Sequence, residues 1–228
     1  MKKILYEFFS LFFPELCKVC SCKLISSEQF ICMDCLYHLP RVNYHPASRQ
    51  HAEERLFGKF EFEQARSFIK YVKSSKYHNL LVHLKYYGNK ELGEFLGLCF
   101  GRELDAAHFF SMIDFIVPVP LHDKKLKKRG YNQSEWIAKG LSKVSGKEVI
   151  INNLCRETGN TTQTKKTIFD RWKNVENIFK LKNPALFEGK HILLVDDVLT
   201  TGATISACAT AFSTCSGYKI SIVTLSIT

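Results

Sequence analysis

The sequence predicts an α/β domain with a mainly parallel sheet, preceded by a small cysteine-rich segment. Three observations predict it. Short β-branched runs alternate with helical stretches from about residue 61 to the end. One of those runs, "KHILLVDDV" (190–198), has the four consecutive apolar residues of a buried strand. Cysteine and phenylalanine crowd the first 41 residues, where no such alternation exists. At 228 residues and 46% hydrophobic content the chain can bury one medium-sized core and carry a small appendage.

In order along the chain, Ile4, Leu5, Phe8, Phe9, Leu11 and Phe12 fall near helical spacing and predict a short amphipathic helix. Glu7 interrupts that run, no small-residue cleavage site follows it, and no run of about 18 apolar residues exists, so neither a secretion signal nor stable membrane insertion is expected. The expected location is cytoplasmic. The helix and cysteine box form an expected unit of residues 1–45, and residues 46–228 the α/β domain. "RVNYHPASRQHAEERLFGKF" (41–60) is polar and aperiodic and reads as a linker. "FEQARSFIKYV" reads as strand or hairpin. "KYHNLLVHLKYYG" and "NKELGEFLGLCFGREL" read as helices, the second with Asn89 as N-cap. "MIDFIVPVP" is a strand stopped by two prolines. "NQSEWIAKGLSKV" is a helix with Asn132 as cap and Glu135 three residues on. "KEVIINNLCR" is strand material, the threonine-rich stretch after it a long loop, "TTGATISACATAFSTC" a helix and "YKISIVTLSIT" a last strand.

Nine cysteines without a secretion signal imply reduced thiols or metal ligands. Cys17, Cys20, Cys32 and Cys35 form two C-x-x-C pairs. Each pair can aim two thiolates at one tetrahedral zinc, and four thiolates leave no open position, so the site is structural. Cys22 lies between the pairs, either replacing Cys20 as a ligand or standing free. Cys99, Cys155, Cys208 and Cys215 fall in predicted helices and strands and read as buried apolar residues.

The net charge of +10 favours an anionic partner: nucleic acid, a membrane surface or a phosphorylated small molecule. The turn at Thr200, Thr201, Gly202, Ala203 and Thr204 sits where a buried strand gives way to a helix. Unpaired N–H groups and the dipole at that helix start suit a phosphate. The turn is not a Walker A loop, since no Lys follows the glycine, and a single glycine excludes the dinucleotide fingerprint. Asp196 and Asp197 stand just before it. Carboxylates only accept hydrogen bonds, so they suit the vicinal hydroxyls of a ribose whose 5-phosphate lies in the turn.

Residues Ile192 to Thr204 resemble the PRPP-binding signature of type I phosphoribosyltransferases. Four further stretches narrow the resemblance: "LKYYGNKELG" (84–93), "IVPVPLHDKKLKKRGYNQSEWIAKGL" (116–141), "RETGNTTQTKKTIFDRWKNVENIF" (156–179) and the cysteine box. Together they resemble the ComF family of competence-associated proteins, with its GntX-like members. The resemblance implies a type I phosphoribosyltransferase fold that takes PRPP with Mg²⁺ and an unknown nitrogen acceptor. It implies that Asp196 and Asp197 are catalytic and hold the ribose, and that 200–204 holds the 5-phosphate. Val119 and Pro120 fall at the pyrophosphate loop, with Arg129, Asn132 and Gln133; Lys124, Lys125, Lys127 and Lys128 read as surface charge. Arg156, Gln163, Arg171 and Asn174 match a mobile loop that closes over the reacting centre, with Thr158 and Asn160 departing from the family pattern. Lys85 matches the lysine of the family's "LKY" and is a possible site residue; an exposed helix lysine is the plainer reading. Two classes of function follow: a transferase, or a non-catalytic PRPP-binding module that also handles single-stranded DNA beside the competence helicase machinery.

Overall fold

The computed structural model describes residues 14–42, 51–157 and 178–228. Its centre is a five-stranded sheet built from β1 (Ala65–Lys70), β2 (Phe115–Pro118), β3 (Glu148–Val149), β6 (His191–Leu199) and β7 (Lys219–Ile227), in the order β1-β7-β6-β2-β3. All four neighbouring pairs are parallel. A separate antiparallel pair joins β4 (Leu154–Arg156) to β5 (Phe179–Leu181). The run expected as one strand at 147–156 is thus two short strands in two different sheets.

The helices are α1 (Met33–Tyr37), α2 (His51–Leu56), α3 (His78–Tyr86), α4 (Lys90–Ala106), α5 (Asp123–Arg129), α6 (Gln133–Ser145) and α7 (Ala203–Phe212). Helix α2 corrects the linker expected at 41–60. Ala52 and Leu56, one turn apart, are both buried, which is the periodicity of a short amphipathic helix. The basic run at 124–129 forms helix α5, which buries none of its residues.

Strand β6 explains the layering. Ile192, Leu193, Leu194 and Val195 are all fully buried, because alternate side chains enter opposite faces of the sheet. Leu193 and Val195 join a core with α3, α4 and α6. Ile192 and Leu194 join a second core with α2 and α7. Helices α4 and α6 touch backbone to backbone on the first face. A Cβ on Gly97 would stand 2.3 Å from the Ile137 carbonyl oxygen, and one on Gly140 would stand 2.2 Å from that of Glu94. Only glycine permits this approach, which fixes the height of α6 and the site residues at its start. There Asn132 caps as expected, its side chain accepting from Ser134 N at 3.2 Å. Asn89 stands at the N-cap of α4, but its amide faces His83 Nδ1 at 3.1 Å instead of capping. Glu135 pairs with Lys139 at 2.8 Å.

The cysteine segment packs into the first core rather than standing apart. Val19, Leu24, Ile31 and Leu39 are buried with Leu80, Leu81 and Leu96. Arg41 bridges to Ile69 across the free edge of β1 and pairs with Glu103 at 2.6 Å. The boundary expected at residue 45 and the helix expected at 4–12 lie outside the described residues.

Candidate functional site

The site forms at the carboxyl end of β6, between β2 and β7. Asp196 is buried, and Ser134 Oγ donates to its Oδ1 at 3.0 Å while the Asp197 N–H donates to the same oxygen at 2.8 Å. Burial, then the neighbouring Asp197 charge, push the Asp196 carboxyl up to about 7; the two hydrogen bonds and Lys85 act against them. Asp197 turns the other way, and Lys85 Nζ of α3 lies 3.2 Å from its Oδ2. Both side chains are mostly buried, at 22% and 18% exposure, so Lys85 is not the exposed helix lysine of the plainer reading.

The turn after β6 is held from outside. Arg55 of α2 donates to the Thr200 carbonyl at 2.7 Å, and Lys59 donates to the Thr201 carbonyl. In a planar trans peptide the N–H points opposite to the C=O. The N–H groups of Thr201 and Gly202 are therefore directed away from α2, at the start of α7, where the helix dipole favours an anion. Gly202 has φ +80°, and a Cβ there would lie 2.7 Å from Leu56 Cδ2. Ala203 and Thr204 open α7. Sequence reasoning missed Arg55, Lys59 and Ser134. The spacing of Ala52 and Leu56, with Glu53 and Glu54 in the first turn, was the local signal for α2; the partners of Arg55 and Lys59 carry none.

The stretch after β2 is tied to the same centre. Val119 N donates to the Val195 carbonyl at 2.9 Å, and Asn132 Nδ2 donates to the Val119 carbonyl at 2.9 Å, with Pro120 next in the chain. Gln133 is buried and accepts from Arg129 at 2.6 Å, so it orients the guanidinium, which also lies 5.8 Å from the Tyr86 ring centre. Arg156 stands over the Phe179 ring at 5.3 Å. Gln163, Arg171 and Asn174 lie outside the described residues.

A second cluster lies in the N-terminal segment. The sulfurs of Cys17, Cys20, Cys22 and Cys32 all lie within 4.8 Å of one another. Cys20 Sγ is 3.2 Å from Cys22 Sγ and 3.7 Å from Cys32 Sγ. Four thiolates around one zinc at about 2.3 Å stand about 3.8 Å apart, so the group fits that ion. The N–H groups of Val19 and Cys32 donate to Cys17 Sγ at 3.5 and 3.3 Å. The N–H of Cys22, then its thiol, pull the Cys20 thiol down to about 6. Three of the expected ligands are in this group with Cys22, and the thiol of the fourth, Cys35, contacts those of Cys20 and Cys32. Cys35 is fully buried in α1, and its backbone carbonyl accepts from Tyr77 Oη at 3.2 Å.

Residues 106–226 match the phosphoribosyl transferase domain, across the sheet, the acid pair and the turn just described. The chain belongs to the phosphoribosyl transferase domain family. Its parallel sheet with this site at the strand ends is the type I phosphoribosyltransferase fold. The chain is 32% identical over 135 residues to the DNA utilization protein YhgH of Salmonella typhimurium, covering 58% of this chain and 59% of that protein. It is 33% identical over 108 residues to competence protein F of Haemophilus influenzae, covering 46% of each. These relatives bear out the ComF-like resemblance, and the chain spans about half of their length. Among solved structures, the allosteric regulatory enzyme of purine biosynthesis matches with a TM-score of 0.41 and 18% identity, over 58% of this chain and 25% of that one. Among the described residues no helix is long and apolar enough to cross a membrane.

Proposed function

We propose that the protein is a cytoplasmic phosphoribosyltransferase that binds Mg²⁺ with PRPP and transfers the phosphoribosyl group to a nitrogen acceptor, in the DNA utilisation or competence for which its relatives are named. The observation that carries this reading is the divergence of the acid pair. Asp196 is braced by Ser134 and buried, while Asp197 is held against Lys85, directly before a turn whose N–H groups suit a phosphate. Hard carboxylate oxygens at this position fit a ligand that arrives with magnesium, which supplies charge neutralisation for the leaving diphosphate.

Asp196 and Asp197 accept from the ribose hydroxyls, and the 200–204 turn binds the 5-phosphate. The Val119–Pro120 stretch, with Arg129 oriented by Gln133, faces the diphosphate. The C1–O bond breaks with its electron pair leaving on the diphosphate, C1 takes on oxocarbenium character, and the acceptor nitrogen forms the new bond to C1 and loses its proton. Positioning and charge supply most of the acceleration. Lys85, near the ribose clamp, can shift its charge from Asp197 to the diphosphate as the ligand enters. At the cysteine cluster, Cys17, Cys20 and Cys32 with Cys22 or Cys35 would hold zinc, which would supply cross-links and no catalysis.

The test is calorimetric titration with Mg²⁺–PRPP, followed by pyrophosphate release against a panel of nucleobases and amines. The double change Asp196→Ala with Asp197→Ala should weaken PRPP at least about 100-fold and abolish release. Wild-type protein that does not bind PRPP refutes the reading.

A second reading, a PRPP-binding module that holds single-stranded DNA beside the competence helicase machinery, draws on one observation. Tyr86 and Tyr87 are 60% and 66% exposed, and Lys128 Nζ lies 6.0 Å from the Tyr86 ring centre. Exposed rings beside cations suit base stacking. PRPP binding with no turnover, together with salt-sensitive DNA binding lost in Tyr86→Ala, favours that reading.

A further inference from the structure

Arg55 and Lys59 lie in a stretch that neither the PRPP signature nor the family's other motifs covers, yet both end on the turn before α7. Arg55 forks: Nη1 donates to the Thr200 carbonyl at 2.7 Å, and Nη2 donates to the Thr228 carbonyl, just past β7, at 2.6 Å. Lys59 Nζ donates to the Thr201 carbonyl and, at 2.7 Å, to the Arg55 carbonyl in the last turn of α2. A cation there also complements the carboxyl end of that helix. Two cations thus occupy the carbonyls of two successive peptides. Their own positions are set by the core: Ala52 and Leu56 are buried, and Glu53 accepts from Arg66 and, at 3.4 Å, from the Ala65 N–H, which ties α2 to β1.

The turn needs them because of its glycine. A half-turn of the planar Thr201–Gly202 peptide changes ψ of Thr201 and φ of Gly202 and little else. Gly202 has φ +80°, and the half-turn carries it to the negative side, which glycine adopts as readily. Helix α7 does not oppose the flip. The Ser206 N–H donates to the Gly202 carbonyl at 2.9 Å, which lies beyond the peptide that turns. The local chain therefore leaves both faces open to the Gly202 N–H. Lys59 chooses between them, since the flip takes the Thr201 carbonyl away from its ammonium, and charge-assisted hydrogen bonds are roughly twice as strong as neutral ones. The Thr200–Thr201 peptide is stiffer. Its half-turn would drive φ of Thr201, a β-branched residue now at negative φ, to positive values. Lys59 governs the free peptide and Arg55 backs the stiff one.

We infer that Arg55 and Lys59 are positioning residues, which act from behind the turn to hold the Thr201 and Gly202 N–H groups on the face where the 5-phosphate sits. The phosphate is that of the PRPP reading, on which this role rests; the held conformer follows from the turn alone.

The test uses the full chain and two kinds of measurement. In amide proton–nitrogen correlation spectra of the ligand-free protein, Gly202 should give one signal, and Lys59→Gln should double or broaden it as the flipped peptide becomes populated. By calorimetry, Arg55→Gln with Lys59→Gln should weaken ribose 5-phosphate about tenfold, the effect of a lost charge-assisted hydrogen bond. Magnesium pyrophosphate, which the turn does not hold on the PRPP reading, should bind the double variant within about twofold of wild type. A Gly202 signal left unchanged by Lys59→Gln overturns the inference. So does wild-type affinity for ribose 5-phosphate in the double variant. Equal weakening of both ligands also overturns it, because loss of general charge attraction gives that result. A Gly202 signal that doubles in Lys59→Gln, when the wild type ignores ribose 5-phosphate, upholds the held turn and refutes the PRPP reading instead.

Discussion

The chain has two regions suited to charged ligands, and they are built on opposite plans. At the end of β6, positions are set by the sheet and two cores before any ligand enters: Val195 and Leu199 are buried on either side of the acid pair. In the cysteine cluster the groups that converge are the ligands themselves, and two of the four, Cys20 and Cys22, are exposed. The first region is organised by packing and tuned by its ligand. The second gathers thiols that a metal ion, once bound, would cross-link. The same substitution logic therefore gives a binding defect in one place and a folding defect in the other.

The largest expected effect is on the second region. With zinc in the cluster, chelation under reducing conditions should lower the melting temperature by about 10 °C or more, read by calorimetry, since a metal bound there would contribute directly to folding. An unchanged melting curve would erase the contrast. Next is the turn. Gly202→Ala puts a Cβ against Leu56 at a left-handed φ that costs about 1–2 kcal/mol, so PRPP affinity should fall about tenfold or more while the melting temperature moves by only a few degrees. Third, Cys22→Ser should lower zinc retention against a chromogenic chelator more than Cys35→Ser does; the reverse order would restore the two regular C-x-x-C pairs as the ligand set.

The smallest effect is a titration. Asp196 is raised from an ordinary value of about 4 to about 7. Its protonated form favours the ligand-free fold, so that contribution is complete below about pH 4 and is lost as pH rises through 7. On the proposed reading PRPP needs the carboxylate as acceptor, so its affinity should rise about tenfold from pH 6 to 8. Asp196→Asn should bind weakly and show no such rise.

How much of this was legible follows from where each contact lies in the chain. The acid pair and the turn are a local pattern, nine strand residues running into a helix, and the sequence displays it whole. Lys85 was visible as a motif residue, but its pairing with Asp197 was not. Arg55 and Lys59 reach carbonyls 145 and 142 positions away, and nothing local in a polar stretch marks that. The fourth thiol was ambiguous for a geometric reason: five cysteines within 19 residues offer several sets of four, and spacing alone does not choose among them.

Helix α3 touches both regions. Near its start Tyr77 reaches the Cys35 carbonyl and Asn79 reaches the Val19 carbonyl at 3.5 Å; at its far end Lys85 faces Asp197. Its nine residues span about 13 Å. A short rigid rod thus stands with one foot in the sulfur cluster and its head at the acid pair. Thiol oxidation that shifts this helix at its foot should therefore register at the acid pair as weaker binding of Mg²⁺–PRPP, if the proposed ligand is the right one.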